Sequence, residues 1–179
     1  SLLGGDGNDI LLDQGGGNDT LSGGNGADIL AGNSGRDILT GGADADVFAF
    51  TKLADSSANP ALADHITDFQ FGGTDLINLQ AIDANTSLAN DQAFTFVAAF
   101  TGVAGQLRAV DVGADKQVQA DVNGDSVADF VIVLDGRAGA AITGADFLPT
   151  APMRHAASGC PYPGALGAAA GLRAGMPRG

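Results

Sequence analysis

A chain of 179 residues with 21 acidic side chains against 8 basic ones carries a formal charge of −13, which excludes nucleic acid and anionic membrane surfaces as partners because polyanions are repelled. No apolar run approaches the ~20 residues of a spanning helix; FVIVL at 130–134 is the longest strongly hydrophobic stretch. Residues 1–159 contain no cysteine, so neither a disulfide framework nor a cysteine zinc site is available there.

All the acids are aspartate and glutamate is absent. Aspartate is the shorter carboxylate, suited to turns and to loops that hold hard cations. Composition divides the chain into three stretches. Residues 1–50 hold 13 glycines, all before residue 44, and residues 51–149 are richer in Val, Phe, Ile and Leu at strand spacing. Residues 150–179 are Ala/Gly-rich, with three arginines and no acid, a composition expected to be disordered or appended. Without that tail, 21 acids face five bases, a formal −16.

The first element is a repeat. GGDGNDILL (4–12), QGGGNDTLS (14–22), GGNGADILA (23–31), GNSGRDILT (32–40) and GGADADVFA (41–49) align on Asp9, Asp19, Asp28, Asp37 and Asp46, spaced ten, nine, nine and nine apart. Ser1-Leu2-Leu3 fits the last three positions of a preceding unit, so the chain is expected to begin within a repeat and to be a piece of something longer. The first six positions of each unit are rich in Gly and Asn, which accept positive φ and let carbonyls crowd together. The last three suit a short strand. Stacked half-coils would turn Leu11, Leu21, Leu30, Leu39 and Phe48 inward and set the aspartates in rows. Carboxylates at such spacing repel one another by roughly 1 kcal/mol per close pair in water, so a cation is expected between them. A donor set of carboxylates and backbone carbonyls, without His or Cys, selects a hard cation, Ca²⁺ over Mg²⁺.

Further strands are expected around Ile66, Phe69 and Phe71 and again at Leu76, Ile77 and Leu79, joined as a hairpin across Gly72-Gly73. AFTFV (93–97), QLRAVDV (106–112), KQVQADV (116–122) and ADFVIVL (128–134) follow as antiparallel β-structure closing the roll. Within them DVNGDSVAD (121–129) groups Asp121, Asn123, Asp125 and Asp129 with the Val127 carbonyl around one loop, either a cation loop or an ordinary Asn-Gly hairpin turn.

The units GGDGND, GGGND, GGNGAD and GGADAD resemble the GGxGxDxUx nonapeptide of RTX proteins, a pattern associated with Ca²⁺-binding parallel β-rolls. DHITDFQFGGTDLINL, FTGVAGQLRAV, DVNGDSVADFVIVL and ITGADFL resemble the C-terminal domain of serralysin-type secreted metalloproteases, and the resemblance covers about residues 1–149. It implies an all-β protein, with a right-handed parallel β-roll at 1–50, an antiparallel β cap at 51–149 and the tail at 150–179. Ca²⁺ would lie between each unit and the one two along, pairing Asp9 with Asp28, Asp19 with Asp37, and Asp28 with Asp46. The accompanying donors would be Gly5 and Gly7, Gly15 and Gly17, Gly24 and Gly26, Gly35, and Gly42 with Asp44. DVNGDSVAD resembles the Ca²⁺ loops of integrin-type propeller repeats.

The resemblance also implies a secreted, extracellular, calcium-binding module of a type I secreted bacterial protein, folding on external Ca²⁺. Its partners would be calcium ions, the type I secretion machinery and an upstream catalytic or adhesive domain. The alternative is a structural or adhesive array stiffened by Ca²⁺. HExxH cannot occur without glutamate, GxSxG is absent, and His65 and His155 are the only histidines. A non-enzymatic module is therefore expected, with His65 a strand surface residue.

Overall fold

The computed structural model describes residues 1–89 and 91–148; the tail expected at 150–179 lies outside the described residues. Six short strands come from the repeats: β1 (Leu2–Asp6), β2 (Ile10–Leu12), β3 (Thr20–Asn25), β4 (Ile29–Ala31), β5 (Ile38–Ala43) and β6 (Val47–Ala49). Each Gly/Asn-rich turn carries the chain across to the opposite sheet, so alternate strands stack in parallel. Thus β1 pairs with β3 and β3 with β5 in one sheet, while β2 pairs with β4 and β4 with β6 in the other. The side chain two places after each aspartate faces the space between the sheets. Leu11, Leu21, Leu30, Leu39 and Phe48 are all buried there, as the period-nine pattern requires. Ile10 and Leu3, at alternate positions, face outward.

The expected hairpin at 62–79 does not form. β7 (Asp64–Ile66) pairs in parallel with β5, and β8 (Leu76–Asn78) pairs in parallel with β6, so the two strands lie in opposite sheets. They add one more coil, with Ile66 and Ile77 continuing the inward ladders at 0% exposure. Residues 67–75 cross from sheet to sheet, and Phe69, fully buried, packs 6.0 Å from the Phe48 ring and 5.2 Å from Phe71. Period-two alternation is common to a hairpin arm and a roll strand. The distinction lies in which neighbour each strand meets, and that is set by the coil beneath.

β9 (Thr95–Phe96), β10 (Gln106–Val112), β11 (Asp115–Asp121) and β12 (Phe130–Leu134) complete the architecture. β10, β11 and β12 form the expected antiparallel meander. β9 runs parallel to β10, and β12 runs parallel to β7, fusing the meander to the roll as one sheet in the order β1-β3-β5-β7-β12-β11-β10-β9. The second sheet is β2-β4-β6-β8. One apolar cluster extends from Leu11 through Phe48 and Ile77 to Phe130 and Leu134, so roll and meander share a core. At its far end Phe147 bridges Ile77, and the Leu148 amide donates to the Ile77 carbonyl at 3.0 Å. No α-helix occurs among the described residues.

Candidate metal centre

The aspartates of the repeats form two rows, one on each flank of the roll, linked by a recurrent hydrogen bond. On one flank the Asp9 amide donates to Asp28 Oδ1 (2.7 Å), the Asp28 amide to Asp46 Oδ1 (2.9 Å) and the Asp46 amide to Asp75 Oδ1 (3.1 Å). On the other flank the Asp19 amide donates to Asp37 Oδ1 and the Asp37 amide to Asp64 Oδ1, both at 2.8 Å. Each aspartate in the middle of a row thus gives its amide to the next coil and receives the amide of the one before.

That bond uses only one carboxylate oxygen. Oδ2 of Asp9, Asp28, Asp37, Asp46 and Asp64 is buried without a hydrogen-bond partner, and the last four residues are at most 1% exposed. A buried unpaired carboxylate oxygen is strongly unfavourable without a compensating charge. Asp64 accordingly has its pKa pushed up to about 8 and Asp46 to about 6, with burial the leading cause and neighbouring aspartates adding to it. Burial also raises Asp37 and Asp75.

The glycines explain the rest of the geometry. A β-carbon at Gly4 would sit 2.5 Å from the Gly23 carbonyl oxygen and 2.7 Å from Asp9 Oδ2. One at Gly23 would lie 2.6 Å from the Gly41 carbonyl oxygen and collide with Asp28 Oδ2. A carboxylate oxygen of one coil and a carbonyl oxygen of the next therefore converge on a space where no side chain fits. Gly5, Gly7, Gly17 and Gly24 turn their carbonyls onto the matching glycines of the following coil, Gly24, Gly26, Gly35 and Gly42, which also cannot bear a side chain. Among the described residues no three His, Cys, Asp or Glu side chains cluster as a metal site. Converging carboxylate and backbone carbonyl oxygens are the donor mixture that suits Ca²⁺.

The two departures from the glycine pattern keep its backbone. Asn33, in the second position of its unit, has φ 59°, and Asp44, in the fourth, has φ 75°, where the corresponding Gly5 and Gly7 have 109° and 107°. Gly15 does not share this positive φ, and its amide donates to Asp13 Oδ2 (3.0 Å), a turn within one coil. Asp19 is less enclosed, with Oδ1 taken by the Ser1 amino group at 3.1 Å.

Asp64 and Asp75 were missed by the repeat alignment. Their separations from Asp37 and Asp46 are 27 and 29 residues instead of 18. The legible signal was Asp64-His65-Ile66 and Asp75-Leu76-Ile77, the same aspartate with an aliphatic residue two places on. The carbonyls of Gly23 and Gly41, at the first unit position, were also overlooked. The two rows end differently. Asp75 has both oxygens occupied, by the Asp46 amide and the Gln70 amide (2.8 Å), while Asp68 accepts from the Gly41 and Gly42 amides. Asp64 keeps Oδ2 free of hydrogen bonds, and its amide donates to Ser56 Oγ at 2.8 Å.

The 121–129 loop is separate from the rows. Asp121, fully buried, accepts the Asn123 and Gly124 amides on Oδ1 (3.2 and 2.6 Å) and the Ser126 amide on Oδ2 (2.9 Å). Asp129 Oδ2 accepts the Val122 amide and its Oδ1 accepts Asn123 Nδ2, while Asp125 Oδ1 accepts the Val127 amide. These acids are engaged by N–H donors within the loop. His65 is not a ligand to this loop: its Nδ1 lies 2.6 Å from Asp135 Oδ1 and its Nε2 3.0 Å from an Arg36 nitrogen, tying the fourth repeat to the end of β12.

Fold and site together define a class: a stacked-coil β-roll of RTX type, whose turns present oxygen donors between successive coils. The chain belongs to the family described as Peptidase M10 serralysin C terminal, whose model matches residues 1–148. Among solved structures it is similar to the AlgE6R2 subunit from the Azotobacter vinelandii mannuronan C5-epimerase, at 26% identity and a TM-score of 0.55, covering 84% of this chain and 93% of that one. It is also similar to the AlgE6R3 subunit from the same enzyme, at 24% identity and a TM-score of 0.43, covering 97% and 93%. No curated protein matches the chain.

Proposed function

We propose that the chain is a non-catalytic, calcium-binding module of a type I secreted bacterial protein, which folds on extracellular Ca²⁺. The observation that carries this reading is the set of buried Oδ2 atoms without partners in the two aspartate rows. Asp9, Asp28, Asp46, Asp19 and Asp37 would hold ions with glycine carbonyls of adjacent coils, and Asp64 extends the second row. Bound calcium supplies positive charge and accepts the oxygen lone pairs that burial leaves without donors. The loop of Asp121, Asn123, Asp125, Val127 and Asp129 is a further, independent candidate. Family membership supports a parent chain carrying a protease or another extracellular domain, with the secretion machinery as an export partner.

The test is a calcium titration of metal-free protein followed by circular dichroism. A cooperative gain of β signal, absent with magnesium at equal concentration, is the expected outcome. A spectrum indifferent to calcium in a verified metal-free sample would sink the proposal.

A further inference from the structure

The sequence contains two Asn-Gly pairs, Asn25-Gly26 in the roll and Asn123-Gly124 in the 121–129 loop. Asn-Gly is the dipeptide in which a backbone nitrogen most easily reaches the preceding side-chain carbonyl, because glycine puts no β-carbon in the way. The surroundings of the two pairs differ in chemistry. At Asn25 the following amide, Gly26 N–H, donates to the Ala43 carbonyl at 3.3 Å, and Asn25 Nδ2 donates to Asp6 Oδ1 at 2.8 Å. Gly26 lies between coils, where a β-carbon would collide with the Gly7 carbonyl. The nucleophile there is bound to a carbonyl and held in a stacked turn.

At Asn123 the attacking nitrogen and the carbonyl oxygen each have a partner suited to cyclisation. The Gly124 amide donates to a carboxylate, Asp121 Oδ1, at 2.6 Å, which can take up its proton as the nitrogen attacks. Asn123 Oδ1 accepts the Asp125 amide at 2.8 Å, a donor placed where negative charge develops on the carbonyl oxygen. The departing nitrogen, Nδ2, donates to Asp129 Oδ1 at 3.1 Å, so the proton it takes up on leaving comes through solvent. Asn123 is exposed, so water reaches the product.

The geometry points to Asn123 as a site of spontaneous deamidation promoted by its own loop. Gly124 N bonds to Asn123 Cγ, the Cγ–Nδ2 bond breaks, and the Gly124 proton passes through the Asp121 carboxylate and solvent to the departing ammonia. Water then adds to either carbonyl of the cyclic imide and opens it, leaving aspartate or isoaspartate at position 123. No oxidant or reductant is involved. The aspartate product adds a carboxylate beside Asp121, Asp125 and Asp129, replaces the Asn123–Asp129 hydrogen bond with like-charge repulsion, and gives the loop a stronger demand for a cation. The isoaspartate product lengthens the backbone and breaks the turn.

The experiment incubates the full chain in calcium, shown by circular dichroism to be folded, at neutral pH and follows amide-to-acid conversion at both pairs by peptide mass spectrometry. Conversion at Asn123 is expected to be about tenfold faster than at Asn25, and faster in the folded chain than in the same chain unfolded in urea. Asp121→Asn, which keeps an acceptor but removes the carboxylate, should bring the rate at Asn123 down to the urea value. Slower conversion at Asn123 in the folded chain than in urea would overturn the inference. So would equal rates at the two pairs. The folded and unfolded comparison uses the unaltered chain and decides the matter even if the variant does not fold.

Discussion

Asp28 is, with Asp37 and Asp46, one of three aspartates that take part in two links of a row. It accepts the Asp9 amide, gives its own amide to Asp46, and leaves Oδ2 beside the Gly41 carbonyl. Asp28→Ala, which removes the acceptor of one link, is expected to raise the calcium midpoint read by circular dichroism more than Asp9→Ala, which leaves the links of its row in place. Asp28→Asn should separate its two jobs, since the amide retains an oxygen for Asp9 while its nitrogen can donate to Gly41. Calcium stoichiometry by calorimetry should fall, yet the metal-free chain should gain structure. Loss of both would mean that the row is held by something other than charge. Protons give a related test. Asp64 and Asp46 have folded pKa values raised to about 8 and about 6 from 3.8, so the metal-free folded state binds more protons than the unfolded chain. Their contribution to stability is fully present below about pH 4 and is lost as pH rises through 6 and then 8. The residual β signal of the metal-free chain should therefore fall from pH 5 to pH 8, and calcium affinity should rise over the same range as protons are displaced. A metal-free β signal that climbs with pH would contradict the buried, unpaired state of these acids.

At the scale of the element, the repeats were legible because period and chemistry coincide: aspartate, then an aliphatic residue two places later, then a glycine turn. β10, β11 and β12 were legible too, as apolar alternation in Gln106–Val112 and the apolar run of Phe130–Leu134. What could not be read was the destination of β7 and β8. Their pairing partners lie in β5 and β6, and the insertions before Asp64 and Asp75 disguise the period. The outer coil also depends on Phe69, whose ring fills the space against Phe48. Phe69→Ala is expected to cost about 3–5 kcal/mol in the calcium-loaded state, measured by urea denaturation. A cost below about 1 kcal/mol would show that the crossing segment is only loosely attached. By the same pairing argument, residues 1–50 alone should remain unfolded at calcium concentrations that fold residues 1–148. They would lack the strands that cover β5 and β6.

For the whole molecule, 21 acids and a formal −13 oppose compaction until cations arrive. Calcium binding to the rows should be cooperative because each ion joins two coils. An affinity in the extracellular range, about 10⁻⁴–10⁻³ M, is expected. The melting temperature should consequently climb with calcium well beyond the concentration that first produces β signal. The matched family region ends at residue 148. Deleting 150–179 should leave that calcium-dependent melting curve unchanged within error. A large loss of stability on deletion would make the tail a working part of the fold.

The aspartate hydrogen bonds all point the same way: in every link an earlier coil supplies the amide and a later coil supplies the carboxylate. At the far end the rows terminate on Ser56 Oγ and the Gln70 carbonyl, and β12 seals the larger sheet against β7. The roll therefore has a foundation and a growing face, like masonry laid from one end. Coils could be removed at β1 and β2 with each remaining aspartate amide still seated on the course beneath it, whereas removing β7 would leave the Asp37 amide without its acceptor. Such a polarity lets the number of repeats vary without redesign of the seal, making length an adjustable property of the stack.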